Sequence, residues 1–241
     1  MHTPTHRTCG SDTLAVFVHG FMGSPDQFDD LADAVFAAGI DVATVLLPGH
    51  GGTWRDFARS DYRAWQSHLC ERLTELSRTY GRIYLVGHSL GCLLSLIECA
   101  EARHVIVGAF LLCPAVRLNL RPTAFAARVR VMRDDTLRTA YRDSLPLNSL
   151  RSWNVPLLLR PAIGYLTAAG KARKCLDRVR VPVVIVCSRG DEVVAFRSAK
   201  ILERGLTNAK TTSLTLETSM HARFAAEERA LIRDALLDFV R

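Results

Sequence analysis

The pentapeptide GHSLG at residues 87–91 places Ser89 at the centre of a G-x-S-x-G pattern. It follows the strand-like run Ile83–Val86 and precedes a helical segment that begins at Leu90. This is the context of a nucleophile elbow, a strained strand-to-helix turn that exposes a serine hydroxyl at the carboxyl edge of a sheet. The adjacent helix N-terminus favours the negative charge that develops when a serine attacks a carbonyl group. We therefore predict that Ser89 is a catalytic nucleophile.

A serine nucleophile needs a base and an acid that orients the base. On folds that carry this elbow, the chain order is serine, acid, histidine. His221 lies in the loop after the last strand-like run, and Asp191 and Glu192 lie in the loop after the run before it. The pattern predicts His221 as the base and Asp191 as the acid, with Glu192 as the competing acid.

Two backbone N–H groups should stabilise the oxyanion. One is that of Leu90, the residue after the nucleophile. The other should follow the first strand, where HGFMGS stands at residues 19–24, and we assign it to Phe21. The side chains of Phe21 and Met22 should form part of an acyl-binding surface. The same prediction includes no metal and no cofactor.

Short strand-like runs alternate with helical segments from Leu14 onward, which predicts an α/β fold with a mostly parallel sheet covered on both faces. The predicted strands are Leu14–Val18, Val42–Leu46, Ile83–Val86, Val105–Leu112, Val181–Cys187 and Thr212–Leu216. The first helix should begin with a capping box between Ser24 and Gln27 and end at Gly39. Four more helices are predicted over Asp61–Thr79, Leu90–Ala102, Phe196–Arg204 and Ala222–Val240.

Residues 115–178 break this alternation and contain four prolines. A structureless loop of that length is improbable, so we predict an insertion with short helices, a lid on a core formed by residues 1–114 and 179–241. The insertion carries 13 Lys and Arg residues against 4 Asp and Glu, a net charge of +9, whereas the whole chain carries +7. Its arginines, among them Arg128, Arg130 and Arg133, favour an anionic substrate or lipid surface, and a compositional arginine bias is the alternative.

Composition excludes several classes of protein. Apolar residues make up 49% and charged residues 23%, which is an ordinary globular balance. No apolar run approaches the roughly 20 residues of a membrane span, and no signal peptide is evident, so we expect a soluble, cytoplasmic protein. The seven cysteines should be mostly buried free thiols, and no Cys or His spacing indicates zinc. Aromatic residues are not interleaved with basic ones, which argues against nucleic-acid binding.

The chain resembles the α/β-hydrolases of the carboxylesterase and monoacylglycerol-lipase-like group (serine aminopeptidase-like). The resemblance rests on HGFMGS at 19–24, LPGHG at 47–51, GHSLG at 87–91, the GDEVV loop at 190–194 and SMHA at 219–222. It implies a sheet that lacks the family's first two strands, a small lid after the sixth, and hydrolysis of carboxylic esters through an acyl-enzyme. Cys92 departs from the pattern, because relatives often have glycine there.

Two other functions remain open. A thioesterase or lysophospholipase would use the same residues on an anionic substrate, and a non-catalytic ligand receptor could share the fold. We expect His50 to fix its loop through hydrogen bonds and His88 to be a packing residue. The three tryptophans, Trp54, Trp65 and Trp153, should be packed anchors.

Overall fold

The computed structural model describes residues 2–124, 126 and 152–241, and for residues 152–154 it describes the backbone alone. Its centre is one seven-stranded sheet. The strands are β1 (His6–Arg7), β2 (Thr13–Val18), β3 (Asp41–Val45), β4 (Arg82–His88), β5 (Ile106–Leu112), β6 (Val183–Ser188) and β7 (Thr211–Leu216).

Six of these strands run parallel, in the order β3-β2-β4-β5-β6-β7. Their Val-, Ile- and Leu-rich sequences are almost entirely buried in the central strands, as expected for a sheet covered on both faces. The predicted α/β fold is confirmed. The sequence does not predict β1, whose two residues pair antiparallel with β3 at one edge, so the implied loss of both N-terminal strands is wrong.

The helices, numbered along the chain, are α1 (Asp29–Ala37), α2 (Trp54–Arg59), α3 (Tyr62–Leu76), α4 (Leu90–Glu101), α5 (Leu159–Lys174), α6 (Arg197–Gly205) and α7 (Ala226–Val240). A 3-10 turn over Pro25–Phe28 precedes α1, and the Ser24 side chain makes no capping bond to it. The predicted capping box at Ser24 is therefore wrong. A capping box stands instead at Thr53 and Asp56 and starts α2, which the sequence pattern does not predict.

Two apolar layers hold the helices to the sheet. One face packs against α3, α4, α5 and α6, with Trp65, Leu93 and Ala168 fully buried between them. The other face packs against α1 and α7, where Phe17 and Leu236 are fully buried. Because six of the strands are parallel, the loops at their carboxyl ends meet at one edge of the sheet.

The segment between β5 and β6 contains helices of its own, but one of them, α5, has 16 residues, whereas the sequence predicts short helices. In its described part these are a 3-10 segment (Ser152–Leu158), α5 and a second 3-10 turn (Leu176–Arg178). Arg128, Arg130 and Arg133 lie outside the described residues, as does the side chain of Trp153.

Two further expectations concern the whole chain. All seven cysteines are free, and five of them, including Cys92 and Cys113, are buried. Among the described helices, none combines the length and apolar character that crossing a bilayer requires.

Candidate active site

Ser89 lies between β4, which ends at His88, and α4, which begins at Leu90. Its backbone has φ 52° and ψ −110°, a left-handed conformation that a side-chain-bearing residue adopts at a cost of roughly 1–3 kcal/mol. The residue is buried, with 5% of its surface exposed. This is the strained elbow that the sequence pattern predicts at residues 87–91.

Close backbone contacts explain two glycines around the elbow. At Gly91 a Cβ atom would lie 1.9 Å from the carbonyl oxygen of Val18, so the first turn of α4 rests directly on the end of β2. At Gly20 a Cβ atom would lie 3.0 Å from Ser89 Cβ and 2.9 Å from His88 Nδ1. The loop that follows β2 therefore passes directly beside the serine.

His221 and Asp191 come together at the same edge of the sheet. His221 Nε2 lies 2.9 Å from Ser89 Oγ, and His221 Nδ1 lies 2.8 Å from Asp191 Oδ2. All three residues are buried. A hydroxyl, an imidazole and a carboxylate linked in this order have the geometry of a proton relay for a nucleophilic serine.

The structure separates the two acids that the sequence leaves in competition. Asp191 contacts the imidazole, whereas Glu192 Oε2 accepts the backbone N–H of His221 at 3.0 Å. Burial alone would raise the pKa of Asp191, but the facing His221 and the N–H groups of Val193 and Val194, 2.8 and 2.6 Å from Oδ1, outweigh it and lower this pKa. Asp191 therefore stays ionised at pH values below those at which an ordinary aspartate takes up a proton.

The loop that carries His221 is held by a residue of the C-terminal helix. Glu228, in the first turn of α7, accepts the backbone N–H groups of Glu217, Thr218 and Ser219 at 2.6, 3.1 and 2.8 Å and bonds the Ser219 hydroxyl. Burial opposes ionisation of Glu228, but these bonds prevail and lower its pKa to about 2. The histidine loop is thus tied to the C-terminal helix.

The acid loop is held by the start of the insertion. Asn119 Nδ2 donates to the Asp191 carbonyl at 3.0 Å, and the Asn119 N–H donates to the Val193 carbonyl at 2.8 Å. Leu118 forms an isolated antiparallel bridge with Val194. The first residues after β5 therefore hold the acid loop in place.

Three neutral histidines, His19, His50 and His88, surround the site. His88 Nε2 donates to the His221 carbonyl at 2.9 Å, and His19 Nε2 accepts the Leu47 N–H at 3.0 Å. Burial lowers the pKa of His88 to about 3 and that of His19 well below its ordinary value. His88 therefore supports the backbone of the loop that carries His221, beyond the packing role predicted for it.

His50 fixes the loop beside the serine, as predicted. Its Nε2 accepts the Met22 N–H at 3.0 Å, and its Nδ1 donates to the Leu47 carbonyl at 3.2 Å. Burial lowers the pKa of His50 to about 4, so the ring is neutral and Nε2 stays an acceptor. Met22 has φ 60°, and this bond holds its backbone in that turn.

Aromatic rings line the approach to Phe21. Its ring meets those of Phe57, Trp65 and Tyr165 edge-on, with centroids 5.0, 6.0 and 6.1 Å away. Tyr165 belongs to α5 and donates its hydroxyl to the Ala115 carbonyl at 2.7 Å. Trp65 is buried and donates to the Pro48 carbonyl at 3.1 Å, so it is an anchor as predicted.

Two cysteines, for which the sequence predicts no functional role, lie near the site. The Cys92 thiol donates to the Gly87 carbonyl at 3.1 Å, so this departure from the family pattern braces the elbow. Cys113, with φ 48°, follows β5 directly, and its thiol, Asp191 and His221 offer ligand atoms within 4.8 Å of one another. We call Cys113, Asp191 and His221 the elbow cluster. Burial, and then Asp191, raise the pKa of the Cys113 thiol, which keeps it protonated.

The family model of the alpha/beta hydrolase family matches residues 15–233, which is most of the chain and includes every residue of the site. The chain belongs to the alpha/beta hydrolase family. This hydrolase therefore has the fold that the motifs at residues 19–24, 87–91 and 190–194 indicate.

Relatives of this hydrolase include a thermostable monoacylglycerol lipase of a Bacillus species, 26% identical over 231 residues, covering 93% of this chain and 88% of the relative. Among solved structures, one of the metagenome-derived lipolytic enzymes LipS and LipT superposes with a TM-score of 0.79 at 23% identity, covering 100% of this chain and 97% of that one. A monoacylglycerol lipase of Paleococcus ferrophilus superposes with a TM-score of 0.73 at 18% identity, covering 99% and 97%.

Proposed function

We propose that this hydrolase cleaves carboxylic esters through an acyl-enzyme formed on Ser89. The observation that carries the proposal is the continuous relay from Ser89 Oγ to His221 Nε2 at 2.9 Å and from His221 Nδ1 to Asp191 Oδ2 at 2.8 Å. Among the relatives are a monoacylglycerol lipase and lipolytic enzymes, which supports an ester of an acyl chain, such as an acylglycerol, as the substrate class.

In the acylation step, Ser89 Oγ attacks the ester carbonyl carbon while His221 Nε2 takes the hydroxyl proton. Asp191 keeps the proton on His221 Nδ1 and stabilises the imidazolium that forms. The carbonyl oxygen becomes an oxyanion, for which the N–H groups of Phe21 and Leu90 are the proposed donors. Collapse of the intermediate breaks the ester C–O bond, and His221 returns its proton to the departing alcohol.

Deacylation repeats the sequence with water. His221 removes a proton from a water molecule, which attacks the acyl carbon bound to Ser89. The C–O bond to the serine then breaks, and the proton on His221 restores the hydroxyl. The products are one carboxylic acid and the free enzyme, and no cofactor takes part in these steps.

The acyl chain has an apolar surface to occupy. Phe21 and Met22 are partly buried beside the elbow, and Tyr165 brings α5 over the same place. We assign residues 115–178 the role of a lid over the core of residues 1–114 and 179–241. The support for this assignment is the position of α5, whose small residues Ala168 and Ala172 pack against the core and whose other side faces outward.

The outward side of the insertion is apolar enough to meet a lipid surface. Leu159, Ile163 and Leu166 lie one helical turn apart along α5 and are 67%, 54% and 60% exposed. Val155, just before them, is 53% exposed. An exposed apolar stripe of this kind marks a contact with another apolar phase. We propose that it makes transient contact with the surface of aggregated substrate, anionic lipid included.

The basic residues at the end of α5 bear on the thioesterase or lysophospholipase alternative, which needs an anionic substrate. The described part of the insertion contains Lys171, Arg173 and Lys174 in the last turn of α5. Arg173 is already bonded to the Val116 carbonyl, and Lys171 lies 5.4 Å from the ring of Tyr62. These engaged positions favour a neutral ester over an anionic substrate.

A fluorophosphonate probe tests the proposal directly, because it forms a covalent bond with an activated serine. We expect one adduct per chain at Ser89, located by peptide mass spectrometry, and none in Ser89→Ala. Turnover of esters and thioesters that vary in chain length and head-group charge then ranks the alternatives by kcat/KM. A protein that neither reacts with the probe nor hydrolyses any member of the panel would be a ligand receptor on this fold.

A further inference from the structure

A second group of cysteine, acid and histidine lies away from the elbow, on the helices behind it. Cys70 comes from α3, Glu98 from the last turn of α4, and His104 from the segment between α4 and β5. Their ligand atoms all lie within 4.8 Å of one another. We call Cys70, Glu98 and His104 the α3–α4 cluster. The site proposed for ester hydrolysis uses none of these residues.

The distances inside this cluster are those of a metal site. His104 Nε2 lies 3.2 Å from Glu98 Oε2 and 3.7 Å from Cys70 Sγ. Tetrahedral zinc bonds of about 2.3 Å to sulfur and about 2.0–2.2 Å to nitrogen and oxygen separate ligand atoms by roughly 3.4–3.6 Å. Two of the three separations therefore already match a tetrahedral ion within about 0.2 Å.

A buried oxygen atom in the cluster lacks a hydrogen-bond donor. Within the part of the chain that the structure describes, Glu98 Oε2 accepts no hydrogen bond, although its side chain is 0% exposed. His104 Nε2 is near enough to contact it but is not oriented to donate to it. A buried carboxylate oxygen in this situation is costly unless a cation meets it.

The other oxygen of the same carboxylate is already held. Gln66, one helical turn before Cys70, donates its amide to Glu98 Oε1 and also to the Leu94 carbonyl, at 3.4 Å. An outer amide that fixes a carboxylate in this way is a regular feature of metal sites, because it aims the free oxygen at the ion. Arg103, on the same segment as His104, makes its ion pair with Glu101, at 3.4 Å.

We propose that the α3–α4 cluster binds a zinc-class divalent transition-metal ion through Cys70 Sγ, Glu98 Oε2 and His104 Nε2, with water as the fourth ligand. Binding releases the thiol proton to solvent and leaves a thiolate on the ion. The ion would clamp α3 to the end of α4, the helix whose other end carries Ser89. Its role is structural, since the cluster contains no group of the ester-hydrolysis relay. Residues 70, 98 and 104 are not spaced like the ligands of a known zinc motif, so the sequence alone does not predict this site.

Cobalt(II) substitution tests the proposal without reference to enzymatic activity. Chelator-treated full-length protein, titrated with Co²⁺, should bind one equivalent and develop a thiolate-to-cobalt charge-transfer band. Zn²⁺ should displace the cobalt and raise the melting temperature by roughly 5–10 °C at a free concentration a hundred times Kd. Cys70→Ser should abolish the charge-transfer band, and Gln66→Ala should weaken binding about 10- to 100-fold.

The elbow cluster supplies the matched control. Cys113→Ser removes the thiol from the other Cys, acid and His group, so it should leave the charge-transfer band and the zinc-induced shift unchanged. If Cys113→Ser abolishes the band and Cys70→Ser keeps it, the metal binds at the elbow and the proposal is wrong. If wild-type protein gives neither a band nor a shift, Glu98 and His104 form a simple ion pair, and the proposal is equally overturned.

Discussion

The elbow cluster and the α3–α4 cluster each combine a thiol, a carboxylate and an imidazole, and their surroundings differ. In the elbow cluster, Asp191 accepts two backbone N–H groups on one oxygen and faces His221 with the other. In the α3–α4 cluster, Glu98 has one oxygen bonded to Gln66 and one without a donor among the described residues. A satisfied carboxylate orients a base, whereas an unsatisfied one is available to a cation.

The position of the histidine accounts for the rest of the difference. His221 has a serine hydroxyl 2.9 Å from Nε2, so the atom opposite the acid has a proton to accept. His104 presents the same nitrogen atom, Nε2, to both Cys70 and Glu98. The first arrangement is a line along which a proton can move, and the second converges on one point. Residue type alone therefore does not determine the chemistry of such a group.

The largest effect should come from Ser89→Ala. Removing the nucleophile lowers kcat by about 10⁶, the loss found when a catalytic triad is removed. Ser95→Ala, in the helix that follows Ser89, is the matched control, because the hydroxyl of that buried serine has no hydrogen-bond partner among the described residues. Stopped ester assays with both variants, alongside circular dichroism melts, would make the comparison. Activity of Ser89→Ala within tenfold of wild type would contradict the mechanism.

Asp191→Asn should lose about 10⁴ in kcat, as the equivalent change does in a serine protease, because the amide holds His221 in the wrong tautomer. Glu98→Gln is the same chemical change in the other cluster and should reduce kcat by less than about tenfold. Glu192→Gln, which alters the contact to the His221 backbone, should fall between them. Equal losses for Asp191→Asn and Glu98→Gln would show that the two clusters are not functionally distinct.

The ring of neutral histidines at the elbow makes this end of the molecule sensitive to acid. His50 has its pKa lowered to about 4, so below pH 6.5 the unfolded chain binds a proton that the folded chain refuses. The free energy of unfolding should therefore fall as pH drops from about 6.5 to about 4. His50→Gln should reduce that slope by up to about 1.4 kcal/mol per pH unit.

Urea denaturation at several pH values measures this slope. Ser95→Ala, which removes no titratable group, should keep the wild-type dependence. A slope that His50→Gln leaves unaltered would mean that His50 is not held neutral in the folded protein.

The smallest effect separates the two thiols. Cys113 faces Asp191, and removing a donor from a charged partner costs about 1.5–3 kcal/mol at most, less for a weak thiol donor. Cys113→Ala should therefore lower kcat/KM by about three- to tenfold. Cys70→Ala should lower the zinc-induced melting shift and affect kcat/KM less. A larger loss of kcat/KM in Cys70→Ala than in Cys113→Ala would show that Cys113 is not the thiol that supports the site.

Local patterns predicted the parts of the fold that local residues determine. The elbow at residues 87–91, the histidine after β7 and the acid loop after β6 were all predicted because parallel strands end at one edge. The choice between Asp191 and Glu192 needed the structure, since adjacent carboxylates on one loop differ only in where each points. A two-residue strand such as β1 gives no periodic signal, and α2 is only six residues long.

Contacts between distant segments were beyond the sequence pattern. Cys70, Glu98 and His104 lie on separate elements, and nothing in their spacing indicates that α3 packs against α4 in the register that joins them. The role of Asn119, which holds the Asp191 loop, depends likewise on a contact between residues 72 positions apart.

Glu228 links the histidine loop to α7, so the position of His221 depends on the seating of this helix. If α7 detaches, the backbone of residues 217–219 loses its anchor, and the loop that holds His221 opposite Ser89 is released. We therefore expect the shelf life of the preparation to depend on fraying of its last sixteen residues (226–241). Engineering for durability should begin at the C-terminus, where a firmer seat for α7 would prolong working life more than further filling of the core.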